Sequence, residues 1–253
     1  MNIVFVLEWT FSPPNYFEEP IHIVRDQYEL KIDNGKVEAK VKAEFYDDDH
    51  KIRGELHEFL NDRFLGVQLT THKPYELSKP GVYKLYPDGR RDLFVFAESA
   101  IMVFSVGEVD LIVTDKEGQV VADSRRERIE KKKTVADLAE KYRSIDTVSA
   151  SILDSYHKAV IDPSNELVHL YEIRDALVDK FGGESKTIKI LDISKTEWRR
   201  FGYLANEAPL KQGRHRGKNV GLLRDATHAE LNEAREFSLK LVIAYFEYLE
   251  QNR

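Results

Sequence analysis

The chain has 253 residues, 42% of them hydrophobic and 32% charged, a composition that suits a globular fold with a buried core in one or two domains. It contains no cysteine, which excludes disulfides, thiolate metal sites and a cysteine nucleophile. A formal net charge of −6 argues against a globally basic nucleic-acid coat and leaves open only a local basic site.

No apolar run approaches the ~18 residues of a membrane span. The N-terminal run Ile3-Val4-Phe5-Val6-Leu7 has no basic region before it and is broken by Glu8, so it reads as a first strand and not as a signal peptide. Tyr28, Leu30 and Ile32 then alternate with polar residues, as do Val37, Ala39, Val41, Ala43 and Phe45. Asn34-Gly35 between the two runs predicts a tight hairpin, because both central residues need positive φ. Further strand-like runs are read at 65–70, 82–86, 93–97, 101–106, 109–114 and 119–122, with turns at Pro87-Asp88-Gly89 and Lys116-Glu117-Gly118. One helix interrupts them, preceded by Asp47-Asp48-Asp49 and marked by Ile52, Leu56, Phe59 and Leu60. Residues 1–123 therefore read as an antiparallel β-sandwich or partly open barrel with one helix. The aromatic stretch from Trp9 to Phe17 fits a cluster closing one end of it better than a ligand groove.

The pattern changes near Ser124. Residues 125–133 are charged apart from Ile129, and Thr134 with Asp137 has capping-box spacing, so 124–146 read as a charged linker and a helix. Residues 147–253 follow a 3.6-residue period. Ile152, Leu153, Tyr156, Ala159 and Val160 form one stripe, ended by Pro163. Leu167, Leu170, Tyr171, Ile173, Ala176, Leu177 and Phe181 form the next, stopped by Gly182-Gly183. Ser194 with Glu197 and Thr227 with Glu230 predict two more helix starts. The last stripe is Leu231, Ala234, Ser238, Leu241, Val242, Tyr245, Tyr248 and Leu249. The expected class is α+β, with an all-α bundle following the β-rich part.

Between the last two helices the charge reverses. From Arg199 to Arg224 there are seven Lys or Arg and one acid, Glu207. Lys211, Arg214, Arg216, Lys218 and Arg224 offer donors for phosphate, Gly213, Gly217 and Gly221 let the backbone approach a ligand, and His215 is the candidate acid or base. Asn206, Arg174 and Asp175 are candidate supports. The competing reading is a solvated interhelix loop whose arginines bridge to neighbouring carboxylates.

Other motifs fail on spacing. Gly213 to Lys218 lacks a residue for a P-loop and has no Ser or Thr after the lysine. His57-Glu58 lacks the second histidine of a zinc protease, with asparagine at position 61. The serine-hydrolase elbow and the dinucleotide fingerprint are missing, and His157 and His169 read as packing histidines. No metal or cofactor is expected.

The helical part, residues 149–253, resembles the C-terminal region of uncharacterised prokaryotic proteins with the same landmarks in the same order. These are a helix like Leu170-Tyr171-Glu172-Ile173-Arg174-Asp175-Ala176-Leu177, then Leu204-Ala205-Asn206, then Arg214-His215, then an acid- and alanine-rich helix from Glu230 to Tyr245. That order is similar to the HEPN class of helical bundles, many of which are ribonucleases of toxin–antitoxin and phage-defence systems, with sites assembled at a two-fold dimer interface. The resemblance implies RNA as the ligand, a homodimer and a prokaryotic, cytoplasmic setting. Active members carry an arginine and a histidine separated by four to six residues. Here Arg214 and His215 are adjacent and three residues separate Arg224 from His228, which puts ribonuclease activity in question. Two readings follow: a HEPN-like protein whose basic loop binds RNA or another phosphate-bearing ligand, or a non-catalytic interaction protein whose β part binds a partner and whose helices dimerise.

Overall fold

The computed structural model of the protein describes residues 4–46, 51–94, 112–114, 120–219 and 221–252. It divides into two compact units, Met1–Phe64 with Tyr75–Lys131 and Leu65–Pro74 with Lys132–Arg253. The class is α+β: an antiparallel sheet in the N-terminal part and helices in the C-terminal part.

The first unit is built on β1 (Val4–Ser12), β2 (Ile21–Val24), β3 (Tyr28–Asp33), β4 (Lys36–Lys42), β5 (Glu76–Leu77), β6 (Gly81–Leu85) and β7 (Arg91–Phe94). Among the described residues these form one open sheet in the order β2-β3-β4-β1-β6-β7, with β5 on β1. β8 (Ile112–Thr114) and β9 (Val120–Asp123) form a separate ribbon. The β3–β4 turn is the expected one: Asn34 and Gly35 have φ of 42° and 79°, both in the left-handed region a type I′ turn requires. The resulting register aligns Leu7 with Ala39 and Leu30, and Trp9 with Val37 and Ile32, so these alternate residues share one buried face.

The first turns of α1 (Lys51–Thr71) meet that face. Trp9 Nε1 donates to His57 Nδ1 at 3.2 Å, and Ile52, Leu56 and Leu60 are buried as expected. Phe11, Tyr16 and Phe17 pack on Phe64, with ring centroids 4.8–5.2 Å from it. The aromatic segment is thus core. The acids at 47–49, the runs at 95–97 and 101–106 and the turn at 116–118 lie outside the described residues.

Two expectations need correction. Residues 65–70 are not a strand but the last turns of α1. Every residue from 62 to 69 is buried, so the run shows neither alternation nor an exposed face, and period alone cannot separate buried helix from buried strand. Thr134 does not start a helix; it lies inside α2 (Ser124–Arg143), whose first turns are the charged run itself. Gly66 explains how α1 and α2 come together. A Cβ there would lie 2.3 Å from Ala136 Cα, so the two backbones touch where only glycine fits.

The second unit collects the ends of α1 and α2 with α3 (Thr147–Ile161), α4 (Glu166–Phe181), α5 (Glu184–Ile190), α6 (Lys195–Gly202) and α7 (His228–Gln251). Of the three predicted N-caps, Ser194 and Thr227 are present and Thr134 is not, while Asp146 adds one that the sequence reading did not name. Asp146 accepts from Ser149 N–H at 2.7 Å, Ser194 accepts from Glu197 N–H, and Thr227 with Glu230 forms a full capping box. Gly182 (φ 69°) and Gly183 end α4 with bonds back to Asp179 and Val178 carbonyls. The predicted stripes of α3, α4 and α7 meet in one core around Ile152, Tyr156, Leu170, Leu177, Leu241 and Tyr245.

Candidate phosphate-binding loop

The basic segment leaves α6 through a π-helical turn, Tyr203–Glu207, and is closed at its base like a short ladder. Lys211 N–H donates to Arg224 O at 2.9 Å and Arg224 N–H to Pro209 O at 3.0 Å. Arg214 N–H reaches back to Ala205 O at 2.8 Å. Gly213 sits in the fold this creates: a Cβ there would be 3.1 Å from the same carbonyl, so the glycine permits the close approach. Beyond it, Arg216–Asn219 makes one 3₁₀ turn.

The candidate cations have different neighbours. Lys211 Nζ pairs with Asp225 at 2.9 Å, which lowers the Asp225 pKa. Arg224 grips Glu230 with two N–H groups at 2.6 and 2.8 Å. That guanidinium, aided by the Thr227 backbone and hydroxyl, pulls the Glu230 carboxyl down to about 2. Arg214 donates to Asp175 Oδ2 at 2.9 Å and lies over the Tyr171 ring at 4.5 Å. Arg216 donates to Gly213 O at 2.9 Å, to Ser164 O and to Asn165 Oδ1. Lys218 and His215 are exposed, and their side chains have no partner among the described residues.

Of the proposed supports, Asp175 meets the loop through Arg214. Arg174 turns inward, pairing with Glu184 at 2.8 Å and lying over the rings of Trp198 and Tyr171 at 4.4 and 5.0 Å. Asn206 Oδ1 is buried without a hydrogen-bond partner among the described residues. Sequence reasoning missed Asn165, Tyr171 and Asp225 as loop partners. Glu230 was visible only as a capping residue.

A second polar cluster is buried in this unit. Glu166, 2% exposed, takes Arg235 on both carboxylate oxygens at 2.6 and 2.9 Å. His72, at φ 50°, sits with Nε2 3.4 Å from Glu166 and Nδ1 3.3 Å from Tyr156 OH, which donates to Leu69 O at 3.0 Å. Burial first, and the Arg235 charge second, hold His72 down to about 3, so it is neutral in ordinary buffers. Glu166 is already compensated by Arg235 and does little to keep a proton there. His157 Nδ1 donates to Gln68 Oε1 at 2.8 Å, in keeping with a packing role.

Two further groupings are chemically occupied. A cleft of about 370 Å³ between α6 and α7 is lined by Glu197, Glu233, Glu236, Lys240, Phe201 and Phe237. Lys240–Glu197 (2.7 Å) and Arg200–Glu233 (3.0 Å) compensate most of its charge. His169 has Asp162 3.4 Å from one ring nitrogen and Glu172 3.5 Å from the other, so the two carboxylates do not converge on one cation. Among the described residues no group of three His, Asp or Glu can hold a metal ion, and no helix is long and apolar enough to cross a membrane. Comparison with known proteins adds no relative: no family model, curated protein or solved structure matches the chain.

Proposed function

We propose that the 209–225 loop of the helical unit binds RNA or another phosphate-bearing ligand, in a HEPN-like bundle that dimerises and serves a prokaryotic defence or stress module. One observation carries the binding role: Arg214 and Arg216 are tied to the bundle, and His215 between them stands exposed with no side-chain partner among the described residues. Anchored flanks reduce the entropy lost when a ligand orders the loop. The ion pairs at Lys211 and Arg214 do not remove these cations from play. Their side chains are 55% and 35% exposed, and pairs so exposed are weak enough for a phosphate to replace, whereas Arg224 is held more firmly by Glu230.

The same observation favours binding over catalysis. A general acid or base needs a group that fixes its tautomer, and His215 has none among the described residues. The test is titration of a fluorescent single-stranded RNA across a salt series. The slope of log affinity against log salt should flatten by about 0.7 for each phosphate contact removed in Arg214→Ala or Lys218→Ala. His215→Ala should leave that slope intact. No binding by the wild type at low salt refutes the proposal.

A further inference from the structure

Beneath the loop lies a stack that neither the charge reversal nor the caps explain. Arg214 Cζ is 4.5 Å from the centre of the Tyr171 ring and Arg174 Cζ is 5.0 Å from it, so the same ring packs against two guanidinium groups. Arg174 is also packed on Trp198 at 4.4 Å and tied to Glu184 at 2.8 Å, and it is only 9% exposed. Gly202 leaves room for it, since a Cβ there would lie 2.5 Å from Arg174 Nη1. Tyr171 itself is 8% exposed, so the ring is a fixed floor.

On that floor Arg214 makes one side-chain hydrogen bond among the described residues, NH1 to Asp175 Oδ2, while its side chain is 35% exposed. A guanidinium carries five N–H donors in a rigid plane. Its Nε and Nη2 donors therefore have no acceptor among the described residues, while the ring lies beneath the group at 4.5 Å. Two cations near one ring repel each other. Asp175 and Glu184 offset this, one at each guanidinium.

We propose that Tyr171, backed by Arg174, is the positioning residue that presets Arg214 as a planar fork for one phosphate group. This rests on the reading that the loop binds a phosphate-bearing ligand, and the experiment separates the two claims. Residue-resolved labelling of arginines with phenylglyoxal, read by peptide mass spectrometry on the full chain, needs no ligand. Arg214 in the wild type should label about fivefold more slowly than Arg199, which is exposed on α6 and unpaired among the described residues. Asp175→Asn should keep most of that protection. Tyr171→Phe should keep it as well, because the ring stays, whereas Tyr171→Leu should bring Arg214 to the Arg199 rate.

In the RNA titration, Tyr171→Leu should weaken binding about fivefold with the salt slope unchanged, since no charge is removed. Tyr171→Phe should bind like the wild type. The proposal is overturned if wild-type Arg214 labels as fast as Arg199, a comparison that stands even if the leucine variant does not fold. It is overturned equally if Arg214 stays protected in a folded Tyr171→Leu. A wild type that shows the labelling pattern but no RNA affinity would keep Tyr171 as the residue that orients Arg214 and remove the phosphate reading.

Discussion

Gly66→Ala tests the packing of α1 on α2 with a single methyl group. The new Cβ would lie 2.3 Å from Ala136 Cα and 3.0 Å from Ala136 Cβ. Ordinary carbon contacts are about 3.5–4.0 Å, so the helices must part by roughly 1.2–1.7 Å. No rotamer relieves this, because the nearest atom belongs to the backbone. The clash also falls within the stretch from 62 to 69 that is buried all round. Overpacking of this kind costs about 3 kcal/mol, and the better helix propensity of alanine returns about 1 kcal/mol, leaving a net loss of about 2 kcal/mol. Urea unfolding followed by circular dichroism measures it. Adding Ala136→Gly should restore little, because the 2.3 Å contact is to Cα and survives the second change. A Gly66→Ala protein as stable as the wild type, or rescue by Ala136→Gly, would refute the close approach.

Two other variants address the ion pairs. Glu230→Gln removes a carboxylate whose pKa falls from 4.5 to about 2. A group depressed in the folded state contributes stability above its unfolded value, and the contribution disappears as pH falls through the folded one. The full shift corresponds to about 3.4 kcal/mol; with Arg224 49% exposed, solvent screening reduces the expected loss at pH 7 to about 1–2 kcal/mol. The gap between variant and wild type in denaturant titrations should close between pH 4.5 and about 2, and a gap constant over that window contradicts the assignment. Arg235→Leu leaves Glu166 buried and uncompensated, so it should cost about 3–5 kcal/mol, more than the double variant Glu166→Leu/Arg235→Leu. A double variant less stable than the single one would mean that the pair is not the source of the loss.

Local rules made much of the fold legible. Asn34-Gly35 set the hairpin, and the stripes of α3, α4 and α7, with the stops at Pro163 and Gly182-Gly183 and the Thr227 capping box, gave the bundle, because each signal sits within a few residues of what it determines. The end of α1 was illegible for the same reason: burial on every side erases the pattern that a half-exposed helix displays. α2 was misread because charged residues without an apolar stripe resemble a linker, while its buried contacts at Val135, Ala136, Ala139 and Tyr142 come only in its second half. Charge reversal located the loop, and of the three supports named for it, Asn206, Arg174 and Asp175, only Asp175 meets it. It could not reveal Asn165, 51 residues from Arg216, or the ring of Tyr171, since those meetings are made by the bundle and not by spacing.

The closed base of the loop bears on how the chain can vary. Rungs between Pro209, Lys211 and Arg224 join the strand that leaves α6 to the one that enters α7, so the helices are registered before the crown begins. Insertions or deletions beyond Arg216 would change the crown without shifting the bundle, and doubling the length of such a segment costs only about 0.6 kcal/mol of closure entropy. The crown is thus a replaceable cassette on a fixed mount. Related chains can diverge there in what they recognise while keeping the same helical frame, and a foreign segment grafted between the rungs should be carried without loss of the fold.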